Sequence, residues 1–169
     1  MQVVADTSAL VSLGVVADRS PNPLDCVLAA HDLFVPTRVL EELEETAGYD
    51  DASGRAAAMV LSRRDQFAVR DVELDESFPL DDGENAAVRL ANDVEATQFY
   101  CDEFNRLALV HASLTTARLV TTPILHVVLV RTGGISANDA ETLLDEISER
   151  RSRSGNAYVA RARDTLRRS

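Results

Sequence analysis

The sequence predicts one α/β domain in which five parallel strands lie between two layers of helices. Short apolar runs suited to buried strands alternate with segments of helical periodicity along almost the whole chain. This alternation is typical of a parallel sheet that helices cover on both faces. The chain has 169 residues, of which 46% are hydrophobic, and it is therefore long enough to bury the core of one domain.

The first half of the chain contains three predicted strands, each followed by a helix. The first strand ends on Asp6, and Thr7 or Ser8 is expected to cap the helix that follows it. Pro36 ends the second strand, and the third strand follows an alanine-rich helix. We place these strands at 3–5, 33–35 and 66–72. We place the helices at 9–16, 24–31, 38–46 and 52–65.

The second half of the chain supplies the remaining two strands. A polar loop leads to a helix that Gly83 and Glu84 begin. The fourth strand ends on Asp102, and Thr122 is expected to cap the helix that follows the fifth strand. We place these strands at 97–101 and 118–120. We place the helices at 83–92, 103–113, 123–130, 137–150 and 157–166.

The charge of the chain is strongly acidic and unevenly distributed. The net charge is −11, and all 17 basic residues are arginine. This combination suits a halophilic protein, because molar salt screens the repulsion between acids; a GC-rich genome that favours arginine codons is the alternative reading. Acidity of this kind does not exclude a nucleic-acid substrate.

The C-terminal end of the chain is basic. Residues 150–169 contain seven arginines and one acid. We divide the chain into a main domain at 1–150 and an arginine-rich helix at 151–169 that is part of the same domain or an arm. Such charge asymmetry is typical of a contact with RNA or with an acidic protein.

Several classes of protein are not supported by the sequence. No apolar segment is long enough to span a membrane, and no basic stretch precedes the first apolar run, so we expect a cytoplasmic protein without a signal peptide. Cys26 and Cys101 form no C-x-x-C pair, which leaves them as small core residues. The histidines at 31, 111 and 126 are expected in the core or at the surface, and no dinucleotide-binding G-x-G-x-x-G is present.

Four acids stand where the predicted sheet and its helices meet. They are Asp6, Glu42, Glu84 and Asp102. In a parallel sheet all four belong to the carboxyl edge, where α/β folds bind ligands. Close carboxylates raise one another's pKa, and a bound cation relieves their repulsion. A site of acids without histidine or cysteine suits Mg²⁺ or Mn²⁺, which in pairs support phosphodiester hydrolysis.

Each acid also has a purely structural reading. Glu42 lies in a run of glutamates that can form a solvated helix face, and Glu41 is the neighbouring alternative ligand. Glu84 can complement the N-terminal dipole of its helix. Asp102 can pair with Arg106 one turn along its helix. Asp6 is the hardest to explain in this way, because an acid directly after a buried strand needs a partner.

Four segments of the chain follow one another in an order and spacing that resemble those of the motifs of a known family. They read VVADTSALVSL, VPTRVLEEL, DGENAAVRLA and CDEFNRLALVHA. In this order the chain resembles the PIN-domain nucleases, and most closely the prokaryotic branch related to VapC-type toxins of toxin–antitoxin pairs. The resemblance extends through VTTPILHVVLVRTGGI and so covers nearly the whole chain. It implies that 1–150 is a PIN-like nuclease domain with a parallel sheet of strand order 3-2-1-4-5. It also implies a homodimer and RNA cleavage that depends on Mg²⁺ or Mn²⁺.

The resemblance also assigns roles to particular residues. It implies that Asp6, Glu42, Glu84 and Asp102 are the catalytic, metal-binding acids, with Asp6 and Asp102 as the main ligands. Ser8, or alternatively Thr7, matches a hydroxyl position near the metal. One departure is the Asn105–Arg106 pair, where the branch often has Ala–Arg.

The expected partners follow from the same resemblance. Arg38 and Arg106 are candidates for contacts with the phosphates of an RNA substrate, since guanidinium groups bind phosphate through two hydrogen bonds. Arg106 can equally form a salt bridge with Asp102 or Glu103. An antitoxin protein is a further expected partner. The alternative function is a catalytically inactive PIN-like module for binding or assembly.

Overall fold

Five parallel strands form a single sheet in the computed structural model, which describes residues 1–169. The strands are β1 (Gln2–Ala5), β2 (Asp32–Pro36), β3 (Ala68–Arg70), β4 (Gln98–Tyr100) and β5 (Arg118–Val120). Their order across the sheet is β3–β2–β1–β4–β5, and every neighbouring pair is parallel. The predicted fold class is confirmed, and the strand order is the one that the resemblance implies.

Nine helices cover the two faces of this sheet and complete a three-layer α/β/α architecture. They are α1 (Thr7–Gly14), α2 (Pro23–Ala30), α3 (Thr37–Ala47), α4 (Ala52–Leu61), α5 (Asp82–Asp93), α6 (Leu107–Ser113), α7 (Thr122–Arg131), α8 (Ala137–Arg150) and α9 (Ala157–Leu166). Helices α1, α3 and α4 pack together, and α7, α8 and α9 form a second group. None of the nine helices combines the length and the apolar composition needed to cross a membrane.

The central strand β1 is the most deeply buried element. Val3, Val4 and Ala5 are fully buried, because β2 and β4 flank the strand on both sides and helices cover both faces. Val4 lies opposite Phe34 of β2 and Phe99 of β4. Asp6, which directly follows β1, is therefore held at the centre of the carboxyl edge.

Several helices begin earlier than predicted, and in α1, α3 and α7 the residue at the cap position differs from the expected one. Helix α1 begins at Thr7, since Asp6 and not Thr7 or Ser8 is its cap, with the carboxylate accepting the Ala9 N–H at 2.9 Å. Helix α3 begins at Thr37, and Pro36 takes the cap position. Helix α7 likewise begins at Thr122 rather than after it.

Other boundaries also differ from the prediction. Helix α6 begins at Leu107 and not at 103, because a turn precedes it in which the Arg106 N–H donates to the Glu103 carbonyl at 2.8 Å. Helix α4 ends at Leu61, and a short 3₁₀ turn follows before β3. Strand β3 is only three residues long, shorter than the predicted 66–72, and it pairs with β2 alone at the edge of the sheet.

The arginine-rich end of the chain packs against the domain. Helix α9 contacts α7 and α8, and it buries Val159 and Leu166. Its outer side is held by ion pairs to α8, in which Arg163 contacts Asp145 at 2.6 Å. A second pair joins Arg167 to Glu141 at 2.7 Å. The segment that links α8 to α9 reaches the carboxyl edge of the sheet.

Candidate functional site

A small polar pocket lies at the carboxyl edge of the sheet. Its volume is about 80 Å³, and no hydrophobic residue lines it. Each predicted acid in it follows a different strand, so the parallel topology brings them together. The lining residues are Asp6, Thr7, Ser8, Glu42, Asp81, Gly83, Glu84 and Glu103.

Asp6 is buried at the base of this pocket and only 3% exposed. Its carboxylate accepts hydrogen bonds from the Ala9 N–H at 2.9 Å and from the Ser8 hydroxyl at 2.8 Å. Burial raises the pKa of Asp6 from 3.8 to about 7, although the hydrogen bonds from Cys101, Ala9 and Ser8 act against the shift. An ionised Asp6 at neutral pH therefore favours a nearby positive charge.

Glu42 enters the pocket from α3 and is positioned by two neighbours. The Thr7 hydroxyl donates a hydrogen bond to its carboxylate. Gly83 faces the same carboxylate, and a Cβ atom at that position would collide with it. Arg38 lies 3.8 Å from Glu42 and 3.4 Å from Glu41, but Glu41 does not line the pocket. The structure therefore places Glu42, and not Glu41, with the other acids.

Glu84 enters the pocket from the first turn of α5 and is 95% buried. Its Oε2 atom lies 3.2 Å from the Arg106 guanidinium but accepts no hydrogen bond. Burial raises the pKa of Glu84, the Asp81 charge adds to the shift, and Arg106 opposes it. Arg106 is thus paired with Glu84 and Asp81. It does not form the salt bridge with Asp102 or Glu103 that the sequence offered as an alternative.

Asp102 lies beside the pocket, but its carboxylate points to other partners. One oxygen accepts the Thr122 N–H at 2.8 Å, at the N-terminus of α7, where the helix dipole favours a negative charge. The other oxygen contacts Arg153 at 3.1 Å. Asp102 is 1% exposed and does not line the pocket; its neighbour Glu103 does.

Ser8 joins the first and fourth motifs. Its hydroxyl donates to the Asp6 carboxylate and accepts the Asp102 N–H at 2.9 Å. This single hydroxyl therefore fixes the end of β1 against the end of β4. Thr7 plays the corresponding part for Glu42, so both hydroxyl residues predicted near the acids contact one of them.

Four residues at or beside the site were not identified from the sequence. Asp81 and Glu103 line the pocket, and both stand next to polar residues that the motifs already mark. Arg153 contacts Asp102 and Ser12, each at 3.1 Å, from 51 positions beyond Asp102 in the chain. Arg151 is also near these acids. Burial lowers its pKa, and the charges of Asp102, Glu103 and Asp6 oppose that shift. No sequence pattern links these arginines to the acids.

The pocket suits a hard divalent cation in its chemistry. The charged side chains that line it are all carboxylates, and the Glu84 Oε2 atom is buried without a hydrogen-bond donor. No three acidic, histidine or cysteine side chains are close enough to form a preassembled ligand set. Mg²⁺ commonly binds through only one or two carboxylates and keeps several waters, so this arrangement fits such an ion. The three histidines do not line the pocket.

The comparisons with known proteins add no assignment to this geometry. No protein-family model matches the chain, and no curated protein matches it. The functional interpretation therefore depends on the acidic pocket and on the four motifs themselves.

Proposed function

We propose that this chain is a PIN-type ribonuclease that hydrolyses RNA phosphodiester bonds with the help of Mg²⁺ or Mn²⁺. The observation that carries the proposal is the convergence of Asp6, Glu42 and Glu84 in one polar pocket at the carboxyl edge. These acids come from three separate motifs of the chain. Their convergence supports a common role, because isolated solvated or capping acids have no reason to face the same cavity.

In this proposal the acids of the pocket hold the cation, and their neighbours orient them. When bound, Mg²⁺ or Mn²⁺ activates water and stabilises the charge that develops on the phosphodiester. Asp6 and Glu42 are held for this task by the hydroxyls of Ser8 and Thr7. Glu84 offers a buried oxygen without a donor. Asp102 stabilises the site, because its backbone N–H donates to the Ser8 hydroxyl and its carboxylate contacts Arg153.

A second candidate function is a PIN-like binding or assembly module without catalytic activity. The observation in its favour is Asp102, whose carboxylate is engaged by Thr122 and Arg153 and does not reach the pocket. If the fourth acid is needed as a ligand, this arrangement prevents it. A cleavage assay separates the two candidates.

The partners proposed with the ribonuclease are an RNA substrate, an antitoxin protein and a second copy of this chain. The support for the antitoxin and the homodimer is the resemblance of the four motifs. Arg38 and Arg106 keep their place as candidate phosphate contacts, since both lie within 4 Å of pocket acids and retain exposed guanidinium surface.

The test is hydrolysis of single-stranded RNA at high salt, with Mg²⁺, with Mn²⁺ and with a chelator. We expect hydrolysis that requires the cation and falls by about 100-fold or more in Asp6→Asn, since even residues that support metal ligands cost 10- to 100-fold. Glu41→Gln is the matched control, because Glu41 is on α3 beside Glu42 but outside the pocket. Equal rates for Asp6→Asn and wild type would overturn the ribonuclease.

A further inference from the structure

We infer that the groove between α7 and α9 is a subsite for single-stranded RNA, in which Tyr158 stacks on a base and Arg131 and Arg161 contact phosphates. The inference rests on the proposed function, and it extends the substrate path from the acidic pocket to a second surface. It also gives a role to part of the arginine-rich C-terminal segment.

The groove is a shallow, mainly apolar cavity of about 190 Å³. It is lined from α7 by Ile124, Val127 and Arg131, and from α9 by Tyr158, Arg161, Ala162 and Thr165. Ile124 and Tyr158 are 37% and 38% exposed, although both are large apolar side chains. A ligand for this groove needs a flat apolar part that covers these two residues.

The same groove carries positive charge that the protein does not neutralise. Arg131 and Arg161 are exposed, and neither has a carboxylate within 4.0 Å. The other arginines nearby on α8 and α9 are paired, as in the contacts of Arg150, Arg163 and Arg167 with acids of α8. In a chain of net charge −11, two unpaired arginines beside an apolar surface favour an anionic ligand.

Tyr158 and Phe104 connect the groove to the residues of the acidic pocket by side-chain contact. The Tyr158 ring packs against the Phe104 ring, with the centroids 5.2 Å apart. Phe104 directly follows Glu103, which lines the pocket, and the Arg153 guanidinium lies over the Phe104 ring at 4.8 Å. Tyr158 therefore stands at the end of the groove nearest the pocket. From Ile124 to Arg131, seven residues along α7, the groove extends about 10 Å away from it.

Single-stranded RNA fits this combination better than a protein partner does. Every base has an apolar face that stacks on an exposed aromatic ring, and each nucleotide carries a phosphate for a guanidinium. The Tyr158 hydroxyl makes no hydrogen bond in the structure, so Tyr158→Phe removes it without breaking a contact of the fold. The groove is lined by seven residues, whereas a standard protein interface takes about 20 to 30 residues from each partner.

The experiment measures binding of a fluorescein-labelled single-stranded oligouridylate by anisotropy, in a chelator so that no hydrolysis takes place. We expect Tyr158→Ala to weaken binding by about 5- to 100-fold, as loss of one stacking platform does. Tyr158→Phe is expected to bind like the wild type, because it keeps the ring. Arg131→Gln and Arg161→Gln should each lower the slope of log affinity against log salt by about 0.7.

Arg118→Gln is the matched control, since Arg118 is an exposed arginine at the start of β5. It should leave both the affinity and the salt slope unchanged. Thermal unfolding of each variant checks the fold. The two arginine variants keep the test decisive if Tyr158→Ala does not fold, because Arg131 and Arg161 form no side-chain contacts that the fold needs.

Three results would overturn the subsite. The first is wild-type affinity in Tyr158→Ala and in both arginine variants, and the second is absence of RNA binding by the wild type. The third is a change of oligomeric state in Tyr158→Ala, measured by sedimentation, which would make the groove an interface between copies. The proposed ribonuclease fails separately. If RNA binds through the groove but is not hydrolysed with Mg²⁺ or Mn²⁺, the subsite stands and the ribonuclease does not.

Discussion

At the scale of single residues, Asp6 is buried, although holding a cation would require its carboxylate to be ionised. It caps α1, it is 3% exposed, and burial raises its pKa to about 7. Its unfolded pKa is near 3.8, so between the two values the folded chain binds more protons than the unfolded chain. The free energy of unfolding therefore falls as the pH rises through this window, and the fall is complete above about pH 7.

The first prediction follows from this sign. Without divalent cations, the wild type should lose on the order of 2 to 4 kcal/mol of unfolding free energy between pH 4 and pH 8 that Asp6→Asn does not lose. Asparagine keeps the capping hydrogen bond, so it is a close steric match. Chemical denaturation of both proteins across the pH range measures the difference. Parallel pH profiles would contradict the prediction.

Gly83 gives a second prediction at this scale. A Cβ atom at position 83 collides with the Glu42 carboxylate, so Gly83→Ala must shift that carboxylate from its position in the pocket. We expect Mg²⁺ and Mn²⁺ to bind at least about 10-fold more weakly, as happens when a ligand loses its support. Calorimetric titration measures the affinity, and Gly155→Ala is the control because position 155 has open space. Unchanged affinity would mean that Glu42 is not a ligand.

At the scale of elements, the segment between α8 and α9 acts as a brace for the carboxyl edge. Arg153 connects Asp102 after β4 with Ser12 on α1, and it covers the Phe104 ring. Asp102 also accepts the first N–H of α7. One buried carboxylate thus joins three elements, and it needs both partners because an uncompensated buried charge is costly.

The third prediction concerns this brace. Arg153→Gln should lower the unfolding free energy by about 2 to 3 kcal/mol, since Asp102 keeps the Thr122 N–H but loses its counter-charge. Arg150→Gln is the control, because the Arg150 pair with Glu146 is exposed and such pairs contribute little. Denaturant titration measures both variants. If both variants lower the free energy of unfolding equally and only slightly, Asp102 does not need Arg153 as its counter-charge.

At the scale of the whole molecule, the net charge of −11 acts on stability. Like charges on the surface repel one another, and salt shortens the range of that repulsion from about 10 Å at 0.1 M to about 3 Å at 1 M. The absence of lysine leaves arginine as the only long cationic side chain available to offset the acids.

The fourth prediction is that the melting temperature rises with salt. Sodium chloride and potassium chloride should act alike, because the effect is screening and not specific binding. Calorimetric scans over a salt series measure it, with the chelator present to exclude divalent cations. A melting temperature that is independent of salt, or that falls with it, would contradict the role of acidic repulsion.

The agreement between sequence and structure differs with the kind of feature. The five strands and nine helices were predictable, since each depends on local periodicity and on breakers such as Pro36. Helix starts were less predictable. Thr7 or Ser8 was expected to cap α1, but the buried carboxylate of Asp6 takes that position because it reaches the Ala9 N–H. Short-range patterns identify the element, whereas competition between neighbouring side chains decides its first residue.

The sequence by itself determined the parallel α/β architecture and placed Asp6, Glu42 and Glu84 at one edge, because strand ends and helix starts are local and the topology then gathers them. Only the tertiary structure decided which groups the Asp102 carboxylate contacts, that Glu103 lines the pocket, and that Arg153 lies beside Asp102. The physical reason is distance along the chain: a contact across 51 positions leaves no periodic trace in the sequence.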